Sequence, residues 1–370
     1  MTIKNSVFIT HTSSISCAGS NDEELFDNIS KGCSGIKRDE TYFHDAQPAI
    51  GRAFTVQNFN RHLIQQCQNI LAASDLENFE ETLLIIGSSV GGMNLTEEIF
   101  FRTKSYQEID PELHNINTIA HILKQKFNFY DDISFSTACT SSANALGYAY
   151  EVLSKGIYNN ALVVGADALS QTTVGGFLSL GVLSSNPCKP FDAQRDGMNV
   201  SEAIACLLLE TVPNEKSVEL CGVGYSSDAH HMTHPHPDGI GAQAAMKNAL
   251  KSAGIEPEHI GYINAHGTGT IANDHAEAQA ISTTFTHKPY TSSSKSITGH
   301  TLGAAGALEA IISCMAIEKQ TILPNTFLGN PENSQVNFAT SLLKKDIQYV
   351  ISNSFAFGGN NCSLIFGRVN

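Results

Sequence analysis

Apolar residues in this chain fall into short blocks of strand length, separated by stretches with helical spacing. Strand-like runs lie near residues 6–10, 82–87, 133–136, 161–164 and 204–210, and again near 218–223, 261–264, 349–352 and 362–366. Between them, Asn21-Asp22-Glu23-Glu24 opens a helix with an N-cap and a capping-type glutamate. Apolar or small residues at Ala143, Leu146, Gly147, Tyr150 and Leu153 have helical spacing, and 239–253 and 302–317 read as further helices. Strands alternating with helices predict an α/β fold with mixed sheets. The polar stretch Pro213-Asn214-Glu215-Lys216 is the best boundary, dividing the chain into 1–212 and 213–370. No low-complexity linker is present, and no internal repetition is visible in the sequence.

Composition narrows the class. At 370 residues the chain exceeds one ordinary domain, and two packed halves are expected. It is 42% hydrophobic and 16% charged, enough for a large core, although no tryptophan is available to anchor it. No run of 18 apolar residues occurs, so no membrane span is expected. The first ten residues lack the apolar region of a signal peptide and read as a first strand. Nine scattered cysteines, without a CxxC pair, favour a reducing, cytoplasmic setting over a disulfide framework. The net charge of −14, from 22 Lys and Arg against 36 Asp and Glu, speaks against nucleic acid or anionic membrane as partners.

Three segments carry chemistry. In Phe135-Ser136-Thr137-Ala138-Cys139-Thr140-Ser141-Ser142-Ala143 an apolar strand ends, small residues follow and a helix begins. A cysteine at such a turn sits at the positive end of a helix dipole, which favours thiolate and therefore a nucleophile. The turn is of the nucleophile-elbow kind, with cysteine for serine. A buried cysteine acting as a small hydrophobe fits the same segment. His266, in Asn264-Ala265-His266-Gly267-Thr268-Gly269-Thr270, and His300, in Thr298-Gly299-His300-Thr301, each follow a strand-like run among glycines and hydroxyls. Such loops let the backbone approach a ligand closely. One histidine in a loop is usually structural; a cysteine and two histidines, each at a strand-to-loop junction, are much less readily coincidental. The stretch from Ile351 to Phe366 reads as strand, glycine turn, strand.

The ordered set resembles the β-ketoacyl-acyl carrier protein synthases, of the elongating Cys-His-His type in the thiolase superfamily. It comprises Ser34-Gly35-Ile36, Gly91-Gly92, Thr137-Ala138-Cys139, Pro190-Phe191-Asp192 with Arg195-Asp196-Gly197, and Ser226-Ser227-Asp228-Ala229. It continues through Asn264-Ala265-His266-Gly267-Thr268 and Lys295 to Gly306, and ends in Phe357-Gly358-Gly359. The resemblance implies a five-layered αβαβα fold of two related halves, the first (1–212) carrying the nucleophile and the second (213–370) both histidines. It implies acyl transfer to Cys139, then decarboxylation of malonyl-carrier protein and attack of the resulting enolate on the acyl-enzyme. By resemblance, His266 and His300 stabilise the enolate as neutral hydrogen-bond donors. The backbone N–H groups of Cys139 and Phe357 hold the acyl-transfer oxyanion, with Gly358 and Gly359 as the gate turn. Lys295 and Glu309 match a buried supporting pair; Thr268, Thr270 and Thr233 match contacts to the phosphopantetheine arm. No bound cofactor and no metal are implied, since the acyl groups arrive on the phosphopantetheine of acyl carrier protein. The implied assembly is a homodimer, or a heterodimer with a ketosynthase-like chain-length factor.

The sequence departs from the family pattern in places. The common Gly-Phe-Gly-Gly-Thr-Asn turn here reads Ala356-Phe357-Gly358-Gly359-Asn360-Asn361, and an N-terminal Thr-Gly-x-Gly becomes Thr10-His11-Thr12-Ser13. A Gly-Glu-Gly-Ala-Gly stretch becomes Ser201-Glu202-Ala203-Ile204-Ala205, and the loop between Val182 and Pro190 is short. These changes spare the catalytic three and favour a specialised type II ketosynthase, such as those building aryl polyenes, over housekeeping elongation. Cations near the expected carrier site, such as Arg52, Arg61, Lys189 and Arg195, are scattered. Three other classes stay open. A thiolase would use coenzyme A and a second catalytic cysteine, for which Cys362 is badly placed; a chain-length factor would lack the cysteine; a cysteine hydrolase would not need the second histidine. Four histidines in Asp228-Ala229-His230-His231-Met232-Thr233-His234-Pro235-His236-Pro237-Asp238 invite a zinc or nickel reading, but two prolines stiffen the loop and helical His spacing is absent. Gly303-Ala304-Ala305-Gly306 lacks the ending of a phosphate loop and reads as close helix packing.

Overall fold

The structure, a computed structural model, describes residues 5–40, 43 and 45–369; residues 1–4 of the expected first strand lie outside them. The first half runs β1 (Phe8–Ser16), α1 (Asp22–Lys31), α2 (Phe59–Ala73), β2 (Leu83–Gly87), α3 (Met93–Thr103), α4 (Asn117–Phe127), β3 (Asp132–Phe135), α5 (Ser141–Ser154), β4 (Asn160–Asp167), α6 (Gln171–Ser179) and β5 (Ala203–Glu210). The second runs β6 (Val218–Ser227), α7 (Ile240–Ala253), β7 (Ile260–Asn264), α8 (Ile271–Thr284), β8 (Tyr290–Ser292), α9 (Lys295–Thr298), α10 (Ala305–Glu318), β9 (Asn337–Phe338), β10 (Tyr349–Phe355) and β11 (Asn360–Arg368).

The strands lie in the order β9-β8-β7-β10-β11-β6-β1-β5-β4-β2-β3. From the outside inward, β3-β2-β4 are parallel and β5 and β1 antiparallel; β8-β7-β10 are parallel and β11 and β6 antiparallel. The two halves therefore repeat one topology, and they join where Phe8 and Ile9 of β1 pair with Glu219 and Val218 of β6. The repetition that no sequence comparison of the halves revealed is plain in the strand order.

Side-chain alternation builds the layers. Along β5, Ala203, Ala205, Leu207 and Leu209 face the central core, while Ile204, Cys206 and Leu208 face an outer core shared with α2 and α4. In the second half, Val350, Leu364 and Phe366 face the centre, and Ile351 and Ile365 pack outward against α7 and α8. Helices α5 and α10 fill the centre, each touching strands of both halves. That gives helix, sheet, helix, sheet, helix. Every residue of α10 from Ala305 to Ile317 is buried. The two helices approach closely because Gly306 carries no side chain: an added Cβ would lie 2.6 Å from the Ala143 nitrogen. Gly303-Ala304-Ala305-Gly306 is thus a packing element.

Strand β1 is longer than the sequence suggests. Its Thr-His-Thr-Ser-Ser run is polar, and tertiary partners satisfy the hydroxyls. Thr12 and Ser14 donate to the Asp22 carboxylate at 2.6 and 2.5 Å, and Ser13 donates to Gln66 at 2.6 Å. Asn21 does cap α1, accepting from the Glu24 N–H; Glu24 in turn accepts from the Ser20 N–H, one residue earlier than a capping box requires.

Candidate active site

The chemistry collects where strands of both halves end toward the central helices. Beyond β3, Ala138 is forced to φ +54°, and α5 starts at Ser141. A left-handed non-glycine costs on the order of 1–2 kcal/mol, so it persists only where neighbours fix it. Ser141 and Ser89 both donate to the Ala138 carbonyl, at 2.6 and 2.9 Å. Asn360, which replaces the family's threonine, accepts from Thr140 at 2.7 Å and from Asn144 at 2.9 Å, tying the gate turn to the elbow. Cys139 is buried at this bend. Its thiol is not the thiolate that the helix start suggests. Burial pushes its pKa up to about 11, overriding the opposing pull of the Phe357 N–H, Lys295 and its own N–H. Alkylation of Cys139 by iodoacetamide should accordingly keep accelerating from pH 7 through pH 10; a plateau near neutrality would show a resting thiolate.

The histidines line the same cleft as this thiol, His266 just beyond β7 and His300 just beyond α9. Their rings lie 5.2 Å apart at 88°, and both are buried. The Leu302 N–H donates to His300 Nδ1 at 3.2 Å, so the neutral ring carries its proton on Nε2. Among the described residues that Nε2 has no hydrogen-bond partner, although it is buried. Lys295 Nζ lies 3.4 Å from His266 Nδ1 and donates to the His266 carbonyl at 2.6 Å. The lysine thereby turns the His266 proton to Nε2 as well. Lys295 and Glu309 form a buried ion pair behind the ring. Burial first, and then the Lys295 charge, hold both histidines well below the usual imidazole range; for His266, His300 adds to this. Both are neutral donors at ordinary pH, and two such N–H groups suit a developing enolate oxygen.

Three carboxylates that the sequence reading passed over set these loops. Glu277 on α8 accepts the N–H groups of His266 and Gly267, both at 2.8 Å, and Asp274 one turn earlier accepts those of Gly269 and Phe191. Burial raises Glu277 to about 7 and Asp274 above its ordinary value. Asp167, at the end of β4, accepts from Ser88, Ser89, Val90 and Gly303. A signal existed for the α8 pair: acidic residues three apart on one face of a helix directly after the His266 loop.

Phe357 reaches toward Cys139 from the turn between β10 and β11, and its ring packs on Phe177 of α6 at 6.1 Å between centroids. Gly358 and Gly359 carry the turn at φ +83° and +79°, leaving Ala356 in an ordinary conformation. Gly358 donates to the Met232 carbonyl at 2.8 Å, and Asp228 donates its N–H to the Gly359 carbonyl at 2.7 Å. A Cβ on Gly359 would lie 1.7 Å from the Asp228 carbonyl oxygen, whereas one on Gly358 meets nothing within 4 Å. Gly359→Ala should therefore displace the gate, lower the Tm by several degrees and abolish turnover, and Gly358→Ala should be much milder. Thermal melts and rates of the two variants check this order.

Thr233, Thr268, Thr270, Phe357, Gly358 and Gly359 line the same cleft as Cys139, His266 and His300. The hydroxyls of Thr268 and Thr270 lie 2.9 Å apart, leading inward. The structure thus brings together in one cleft the cysteine, both histidines, the gate and the three threonines, with the Lys295–Glu309 pair just behind. Cys362 lies instead in the central core, away from the cleft. Arg195 is not a surface cation; it is buried, donating to the carbonyls of Asp192, Thr270 and Ile271. The four-histidine loop forms the cleft rim, where His231 and His234 line it. Among the described residues, no group of three or more His, Cys, Asp or Glu is disposed to hold a metal, and no helix is long and apolar enough to cross a membrane.

Comparison with known proteins places this geometry. The family model described as Beta-ketoacyl synthase, N-terminal domain, matches residues 39–214, and that described as Beta-ketoacyl synthase, C-terminal domain, matches 218–328. The chain is 38% identical over 311 residues to 3-oxoacyl-[acyl-carrier-protein] synthase 2 of Coxiella burnetii, covering 77% of this chain and 74% of that protein. It is 29% identical to the synthase of the same name from Staphylococcus aureus, over 98% of each chain. Among solved structures, the ketosynthase ApeO in complex with its chain length factor ApeC from Xenorhabdus doucetiae is similar at a TM-score of 0.88 and 30% identity, covering 99% of this chain and 98% of that one. The ishigamide ketosynthase/chain length factor is similar at a TM-score of 0.90 and 26% identity, over 99% and 100%.

Proposed function

This chain belongs to the β-ketoacyl synthase family and is an acyl-transferring condensing enzyme of chain elongation, and from that premise we propose how its own residues divide the reaction. Cys139 takes the acyl group from a carrier thioester, and its thiol proton leaves on the departing carrier thiol. The N–H groups of Cys139 and Phe357, both turned to the sulfur, hold the oxyanion. Malonyl-carrier protein then loses carbon dioxide, and the enolate oxygen lies between the Nε2–H groups of His266 and His300. The enolate carbon attacks the acyl-enzyme, expels the Cys139 thiolate and leaves a β-ketoacyl-carrier product. The carrying observation is the buried, unpartnered His300 Nε2 beside a second Nε2 donor and the thiol. Neither coenzyme A thiolysis nor hydrolysis needs that pair, and Cys362 offers a thiolase no second cysteine.

We further propose that no bound cofactor takes part. The substrates ride on the phosphopantetheine of acyl carrier protein, with Thr268, Thr270 and Thr233 along the arm, and the enzyme works in the cytoplasm. The departures at Ala356, Asn360 and β1, together with the similarity to ketosynthases solved with chain length factors, support a specialised type II enzyme, such as an aryl-polyene ketosynthase, paired with a chain-length factor. Incubation with radiolabelled malonyl- and acyl-carrier protein, followed by mass spectrometry of the carrier, tests the reaction; carrier-bound β-ketoacyl product is expected. Free acid or an acyl-coenzyme A product would replace this reading with hydrolase or thiolase chemistry. Full activity of the purified homodimer would remove the need for the second subunit.

A further inference from the structure

The cleft has no lysine or arginine among the described residues that line it. This matters because a phosphopantetheine arm carries a phosphodiester at the end farthest from its thioester. With the thioester at Cys139, that anion lies toward the rim. The groups there able to carry positive charge are His231 and His234, both exposed, since His266 and His300 are buried around the reacting atoms. We propose that His231 and His234 form the receiving site for the phosphodiester of the arm; this rests on the carrier-dependent reading above.

The geometry of the pair suits an anion. The Thr233 N–H donates to His231 Nδ1 at 3.1 Å, which puts the proton of a neutral His231 on Nε2. His234 Nδ1 lies 3.2 Å from that same Nδ1 and 3.0 Å from the Thr233 hydroxyl. The two ring nitrogens share one proton, which sits on His234 because the His231 lone pair is already an acceptor. The exposed pair then offers imidazole N–H donors to an anion, and hydrogen bonds to an ionised partner are the strong ones. Its rings stand 5.0 Å apart at 60°.

The frame behind the pair is fixed. Asp228 accepts the backbone N–H groups of His230 and His236, each at 3.0 Å, and two prolines follow. That carboxylate is therefore occupied with the loop, and the other nearby acid, Asp238, lies toward His236 at 3.8 Å. The His230 and His236 rings pack on each other at 4.9 Å. Through the Met232 carbonyl the same loop holds Gly358, so the anion site adjoins the gate.

The test compares acyl-phosphopantetheine with acyl-pantetheine, identical except for the phosphate, as donors in acyl loading of Cys139 followed by intact-protein mass spectrometry. The wild-type chain should favour the phosphorylated donor in kcat/KM by about tenfold or more, the scale of a charge-assisted hydrogen bond. His234→Ala should bring that ratio toward one. His231→Asn, whose side-chain oxygen can still accept from Thr233, should lower it while keeping the loop. His234→Arg should keep the preference. A wild-type ratio of one, or an unchanged ratio in His234→Ala, overturns the site while leaving the ketosynthase reading intact. Loading from neither donor overturns both.

Discussion

Replacing Cys139 by alanine should abolish acyl loading and condensation, with a loss on the order of 10⁴-fold or more, as expected where a covalent nucleophile is removed. The effect should be confined to chemistry. Alanine at 139 removes one buried sulfur, worth about 1 kcal/mol of packing, and leaves the elbow's supports untouched. Those are the donors to the Ala138 carbonyl and the Asn360 link to Thr140 and Asn144. Decarboxylation of malonyl-carrier protein should survive, because its donors are His266 and His300. Carbon dioxide release without acyl-enzyme is the expected signature, read by trapping labelled gas and by protein mass spectrometry. Wild-type rates of β-ketoacyl formation in the alanine variant would remove Cys139 from the mechanism.

That separation of roles was partly visible in the bare sequence, and the reasons are physical. Cys139, His266 and His300 announce themselves because each stands where a strand-period pattern breaks into small and hydroxyl residues. The strand Leu83–Gly87 is apolar throughout and Ala203–Glu210 is apolar up to its last residue, so both are equally easy to read. The full length of β1 is not legible, because its buried hydroxyls depend on Asp22 and Gln66, partners that only the fold supplies. The strands Tyr290–Ser292 and Asn337–Phe338 are too short to leave a periodic signal. The thiol's state is not legible in the sequence: the helix start argues for thiolate, but the local sequence does not show how deeply α5 sinks between the strands of the two halves, and burial dominates. Arg195 looks available for an acidic partner because two of its carbonyl acceptors, Thr270 and Ile271, lie 75 and 76 residues away in sequence.

The histidine variants should give the opposite pattern to Cys139→Ala. Removing one donor of an oxyanion-type pair typically costs about 10²–10³ in rate. His300→Ala and His266→Ala should each slow malonyl decarboxylation by that order, while acyl loading, served by the N–H groups of Cys139 and Phe357, falls much less. The two need not match. His300 Nε2 has no other partner among the described residues, so its loss removes a donor cleanly. His266 also shields the Lys295–Glu309 pair, and its loss exposes a buried ion pair to rearrangement. The pH dependence gives an independent check. Burial and the Lys295 charge lower both histidine pKa values, so the donors stay neutral as the pH falls through the ordinary imidazole range near 6.5. Decarboxylation should therefore hold level through pH 6.5 and decline only at lower pH, where protonation would charge the rings and abolish their neutral-donor role. Replacing Lys295 and Glu309 together, by methionine and glutamine, removes the positive charge without stranding its partner. The acid limb should then move up in pH, because part of what disfavours the imidazolium has gone. An acid limb already at the ordinary histidine value in the wild type, or one unmoved in the double variant, would show that the lysine does not act on these rings.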